Sequence, residues 1–156
     1  MASNPGRQGP CRLLLIEDDE DDVFLLERAI DCVRDNLKVE VEYEHVENGL
    51  EGLYLVSKDD LTDQLPDAVV LDLNMPRLGG VKFLKALRQS FLLKDLPIFV
   101  LTTTTSSTIH EEAIRAGANK VYVKPDDADA LVAIAAEIVA AICCDAAAEA
   151  DSAEAS

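Results

Sequence analysis

VVLDLNMPRLGG, residues 69–80, carries an apolar run straight into a lone carboxylate, Asp72, and then breaks at Met75-Pro76. A short, continuously apolar run bounded by polar or turn-forming residues reads as a strand covered on both faces. AVVL at 68–71, LLLI at 13–16 and IFVL at 98–101 all have this form, which predicts central strands of a parallel sheet. VEVEYEH at 39–45 instead alternates Val39, Val41 and Tyr43 with Glu40, Glu42 and Glu44, the period of a strand with one solvated side, so it belongs near an edge. KVYVK at 120–124 reads as a fifth strand, stopped where Pro125 lacks an N–H for the ladder.

Segments of helical spacing lie between these runs. Val23, Leu26, Ile30 and Val33 mark the first, and Leu131, Ile134, Ile138 and Ile142 the last. Gly49 to Lys58, Gly80 to Gln89 and Thr108 to Ala116 complete the set, with Gly117 placed to end a helix in left-handed space. Strands alternating with helices across short links predict an α/β doubly wound parallel sheet with helices on both faces. The expected organisation is a tail over 1–10, one domain over 11–144, and an acidic Ala-rich tail over 145–156 that is disordered or extends the last helix.

Composition narrows the function. The 156 residues include 30 acidic against 14 basic, a net charge of −16, so the surrounding field repels phosphate backbones and anionic headgroups. Neither nucleic acid nor membrane is an expected partner. The polar N-terminus MASNPGRQGPCR lacks the apolar centre of a secretory signal, and a cytoplasmic protein is expected. Cys11, Cys32, Cys143 and Cys144, with only His45 and His110 to help, supply no zinc-binding spacing. Cys143 and Cys144 are expected as reduced thiols.

In an open parallel sheet, ligands bind beyond the carboxyl ends of the strands, where the strand order reverses. The residues just past each run therefore meet at one rim: Glu17, Asp18 and Asp19, then Asp72, then Thr102 and Thr103, then Lys124. Taken singly, each has an ordinary explanation as a cap, a turn or a strand end. Together they crowd carboxylates at a partly desolvated place, which costs free energy unless a hard cation or a proton compensates. Magnesium fits, because it takes oxygen ligands from one or two carboxylates together with phosphate oxygens. A metal at Glu17 and Asp18, with Asp19 as the alternative if the register slips, could then neutralise a phosphoryl group arriving at a nucleophilic Asp72.

LLLIEDD, VVLDLNMPRLGG, LPIFVLTTT and AGANKVYVKP, in that order over roughly Arg12 to Ile142, resemble a response-regulator receiver domain. LDLNMP followed by VLTTT is most similar to the stand-alone regulators that partner phytochrome-type sensor kinases. The resemblance implies a flavodoxin-like strand order 2-1-3-4-5 and a Mg2+-dependent switch rather than a turnover enzyme. It implies Asp72 as phosphoacceptor and Glu17, Asp18, Asp72 and the Asn74 backbone carbonyl as metal ligands. Thr102 and Lys124 would be the hydroxyl and ammonium that engage the phosphoryl group, and Lys124-Pro125 a cis bond. The implied partners are a sensor histidine kinase, of the phytochrome type by the narrower of these likenesses, and a second copy through the face of the fourth helix, fifth strand and fifth helix. One departure stands out: where many receivers carry an aromatic residue three before the lysine, this chain has Val121, with Tyr122 one place along on the opposite face. Output is therefore expected to run mainly through Thr102 and the loop after it. Two rivals are an aspartyl-phosphate phosphohydrolase, against which Asn74 stands where that chemistry wants a second Asp, and a receiver-like scaffold that is never phosphorylated.

Overall fold

The computed structural model describes residues 9–61, 65–75, 79–89 and 95–143. Strands β1 (Cys11–Ile16), β2 (Val41–Val46), β3 (Ala68–Leu71), β4 (Ile98–Thr102) and β5 (Lys120–Val123) alternate with helices α1 (Glu20–Leu37), α2 (Gly49–Leu61), α3 (Gly80–Arg88), α4 (Ser107–Ala116) and α5 (Ala128–Cys143). All strand pairs are parallel, in the order β2-β1-β3-β4-β5. The alternating strand β2 lies at one edge, and β1, β3 and β4 fill the middle, each lined with buried side chains.

The central strands are apolar throughout because successive side chains point to opposite faces and both faces are covered. Leu14, Ile16, Val69, Leu71, Ile98 and Val100 pack with Val56, Phe83, Leu84 and Leu87 on the α2–α3–α4 side. Leu13, Leu15, Ala68, Val70, Phe99 and Leu101 pack with Leu26, Ile30, Val33 and Ile138 on the α1–α5 side. The one-residue shift in β5 follows the same rule. Val121 joins the α3–α4 layer, whereas Tyr122 joins the α1–α5 layer, with the Lys120 ammonium 4.7 Å from its ring centre. Tyr122 is thus a packing residue on the face away from α4.

Gly80 brings the start of α3 against the loop after β3. A Cβ there would lie 2.7 Å from both the Asp72 carbonyl oxygen and the Leu73 Cα, backbone atoms that cannot turn aside. Gly117, at φ 123°, ends α4 as its sequence position predicts, and its carbonyl accepts from Arg88 Nη2 at 2.8 Å and Nε at 3.1 Å. Two expectations need correction or limits. The Lys124-Pro125 bond is trans, the form that even a tertiary amide prefers by about 0.5–1 kcal/mol. Cys32 is a free, exposed thiol, but Cys11 is disulfide-bonded. The reading of Cys143 and Cys144 as reduced thiols falls on side chains outside those described, as does the tail over 145–156.

Candidate functional site: an acidic pocket at the strand ends

Register assembles the site. Ile16 pairs with Leu71, so the residues that follow them, Glu17 and Asp72, leave the sheet at the same level, fixed by a bond from the Asp72 amide to the Ile16 carbonyl at 3.0 Å. Thr102 pairs with Val123, and the Lys124 amide bonds the Thr102 carbonyl at 2.7 Å, so the lysine emerges beside the end of β4. The order β2-β1-β3 reverses the direction of winding between β1 and β3, which is where Glu17 and Asp72 face each other.

The acidic run after β1 divides its labour. One oxygen each of Glu17, Asp18 and Asp72 lie within 4.8 Å of one another. Asp19, the alternative ligand in the sequence reading, is instead the N-cap of α1, accepting from the Asp21 and Asp22 amides at 2.9 and 3.2 Å. Glu20 and Asp21 lie in the first turn, where the positive end of the helix dipole favours them. Asp22 turns back: its Oδ2 accepts from Lys124 Nζ at 2.8 Å.

Lys124 binds this group together. Its Nζ lies 2.6 Å from Glu17 Oε2 and 3.9 Å from Asp72 Oδ1. Glu17 and Asp72 are each only 6% exposed, and this sets their acidity. Desolvation is the largest influence on Glu17 and outweighs the hydrogen bond from Lys124, so its carboxyl is pushed up from 4.5 to about 7. Asp72 also rises, by burial first, with the nearby Lys124 charge opposing. Burial works against the lysine's charge too, but its bonds to Asp22 and Glu17 prevail and hold it above the ordinary value. Carboxylates this close and this dry have an unmet demand for positive charge that one ammonium does not fill.

A hard divalent cation answers that demand. The donors are all oxygen, and Asp18 is open to solvent, which suits an ion that keeps several of its waters. The residues present therefore fit a magnesium ion held by Glu17, Asp18 and Asp72. Asn74 is exposed immediately beyond, at the same mouth.

Thr102 is fully buried, and its Oγ1 accepts from the Thr104 amide at 3.3 Å. Two histidines escaped the sequence reading as anything but poor zinc ligands. His45 donates from Nε2 to the Glu17 carbonyl at 2.7 Å, and His110 from Nε2 to the Thr104 carbonyl at 2.7 Å. Asp22 was missed as well, because only the helical turn after Asp19 brings it round to a lysine at the far end of the chain.

A family model for the response regulator receiver domain matches residues 13–136. The chain belongs to the response regulator receiver family. This receiver is 33% identical over 129 residues to the response regulator MprA of Mycolicibacterium vanbaalenii, covering 80% of this chain and 48% of that one. It is 34% identical over 114 residues to the transcriptional regulatory protein PrrA of Mycobacterium tuberculosis, covering 73% and 43%. The receiver thus spans about half the length of the curated relatives it matches. Among solved structures it is similar to response regulator RPA3017 in red light signalling of R. palustris, with TM-score 0.73, 27% identity and coverage of 85% and 92%. The phosphorylated cyanobacterial phytochrome response regulator RcpA shares the fold at TM-score 0.76, with 24% identity and coverage of 86% and 94%.

Proposed function

We propose that Asp72 accepts a phosphoryl group from a sensor histidine kinase and that the receiver signals through the resulting change of shape. The observation that carries this reading is the meeting of Glu17, Asp18 and Asp72 oxygens within 4.8 Å, with the Lys124 ammonium 3.9 Å from Asp72. A carboxylate oxygen of Asp72 forms the new O–P bond as the P–N bond of a phosphohistidine breaks, and the electron pair of that bond returns to the imidazole nitrogen. Magnesium, when held by Glu17, Asp18, Asp72 and the Asn74 main-chain carbonyl, neutralises charge on the transferring phosphoryl oxygens. Lys124 is then drawn from Glu17 and Asp22 toward the phosphoryl group, which brings about two negative charges, and Thr102 offers it a hydroxyl donor. Water later hydrolyses the acyl phosphate and resets the switch. Its product is a conformation rather than a released metabolite.

RPA3017 and RcpA, by their names, serve red-light and phytochrome signalling, and they support a phytochrome-type kinase as the donor. The face of α4, β5 and α5 carries exposed Ile109, Ile114 and Val123, which supports it as the surface for a second copy. That no helix among the described residues is long and apolar enough to cross a membrane is compatible with a cytoplasmic site of action.

The test is phosphorylation by acetyl phosphate with magnesium, followed by intact mass. Wild type gains one phosphoryl group and Asp72→Asn gains none; an equally labelled Asp72→Asn protein moves the acceptor elsewhere, and repeated turnover of the donor would favour a phosphohydrolase.

A further inference from the structure

The loop between β4 and α4 is threaded with side-chain bonds to its own backbone. The Thr104 amide bonds Thr102 Oγ1 at 3.3 Å, the Ser106 amide bonds Thr104 Oγ1 at 3.3 Å, and the Ile109 amide bonds Ser106 Oγ at 3.4 Å. These are hydroxyl turns across two or three residues. The first two shape the loop locally and travel with it, and the third caps the start of α4 at Ser106.

The bond from His110 is of another kind. It is the shortest of the set at 2.7 Å, it spans six residues, and it runs from the body of α4 back to the Thr104 carbonyl. The cap bond from Ile109 reaches only Ser106, the last residue before the helix, whereas the His110 bond reaches past it to Thr104, the residue next but one to Thr102. A carbonyl oxygen only accepts, so the half-buried imidazole carries its hydrogen on Nε2. The Thr104 peptide segment is thereby held at both ends: its carbonyl by His110, and its amide against Thr102 Oγ1. Turning the Thr102 hydroxyl away from this position gives up its contact with the Thr104 amide, on the same residue whose carbonyl His110 holds.

We propose that His110 is a positioning residue that latches the β4–α4 loop in its resting arrangement, and so opposes the movement of Thr102 toward a phosphorylated Asp72. This rests on the reading of Asp72 as phosphoacceptor and Thr102 as its hydroxyl partner. A restraint present in only one of two states shifts their populations by its own strength. Loss of the latch therefore favours the phosphoryl-bound arrangement, by about fivefold for one ordinary net hydrogen bond.

The experiment titrates beryllofluoride, a phosphoryl mimic, into wild type, His110→Leu and His110→Gln in saturating magnesium. Leucine keeps the volume without the donor, and glutamine keeps an N–H at nearly the same reach. The latch predicts His110→Leu binding about fivefold tighter than wild type, His110→Gln close to wild type, and all three with equal magnesium affinity. Leucine and wild type alike, or leucine and glutamine alike, would overturn it while leaving the phosphoacceptor reading intact. Wild type that binds no beryllofluoride would sink that reading, and the latch with it. A second measurement needs no substitution: the imidazole N–H signal of His110 in a 1H–15N spectrum should be that of a hydrogen-bonded Nε2–H in the free receiver and lose that character on beryllofluoride binding. A signal unchanged by binding rejects the latch.

Discussion

Glu17 concentrates the tension of the site, because it is held dry beside Asp72 and pushed up to about 7 from an ordinary 4.5. A carboxyl raised in the fold binds its proton more tightly in the native than in the unfolded chain, so the stabilisation is whole below about pH 4.5 and lost as pH rises through about 7. In EDTA the melting temperature is expected to fall by several degrees between pH 5 and pH 8, as followed by circular dichroism. Magnesium competes for the deprotonated carboxylates, so its own stabilising shift should grow over the same range. That shift should be smaller in Asp18→Asn than in wild type; equal shifts would remove Asp18 from the metal site. The meeting place was legible in the sequence where it depends on strand ends: Glu17, Asp18, Asp72 and Lys124 each follow or close an apolar run, and register carries them together. Asp22, His45 and His110 were not legible. Their partners are a lysine and two main-chain carbonyls, and nothing in the spacing of residue types encodes those.

The strands and helices follow their apolar periods closely. Val23, Leu26, Ile30 and Val33 are the buried stripe of α1, and Gly80, Phe83, Leu84 and Leu87 that of α3. The predicted and observed ends differ mainly where polar residues extend an element: β1 begins at Cys11 rather than Leu13, and α2 runs to Leu61 rather than Lys58. What the pattern did not announce is the contact at Gly80, which depends on how closely α3 approaches the loop after β3. Gly80→Ala should cost about 1–3 kcal/mol, as overpacking does, measured by urea denaturation. Since the atoms displaced include the Asp72 carbonyl and the Leu73 Cα, the same variant should also bind magnesium less tightly. Gly79→Ala is the control: among the described residues a Cβ there would meet only the Leu73 carbonyl oxygen at an ordinary 3.7 Å, so it should leave magnesium binding unchanged.

The whole assembly concentrates its chemistry at one end of the sheet in a chain of net charge −16, and an anionic donor must approach against that field. Raising the salt concentration should therefore speed phosphorylation by acetyl phosphate, a trend that a neutral approach surface would not show. The paired grip of Arg88 on the Gly117 carbonyl has a mechanical counterpart in this layout. It bolts the far end of α4 to α3, whereas the near end, beside Thr102, is fastened by slender hydroxyl contacts and one imidazole. A rod so mounted pivots about its bolted end. Over its ten residues, a lever of about 15 Å, displacement is expected to be greatest at Ser107 and least toward Ala116. Beryllofluoride should accordingly quicken amide exchange at residues 108–110 far more than at 114–116, with Arg88 acting as the hinge pin of the signal.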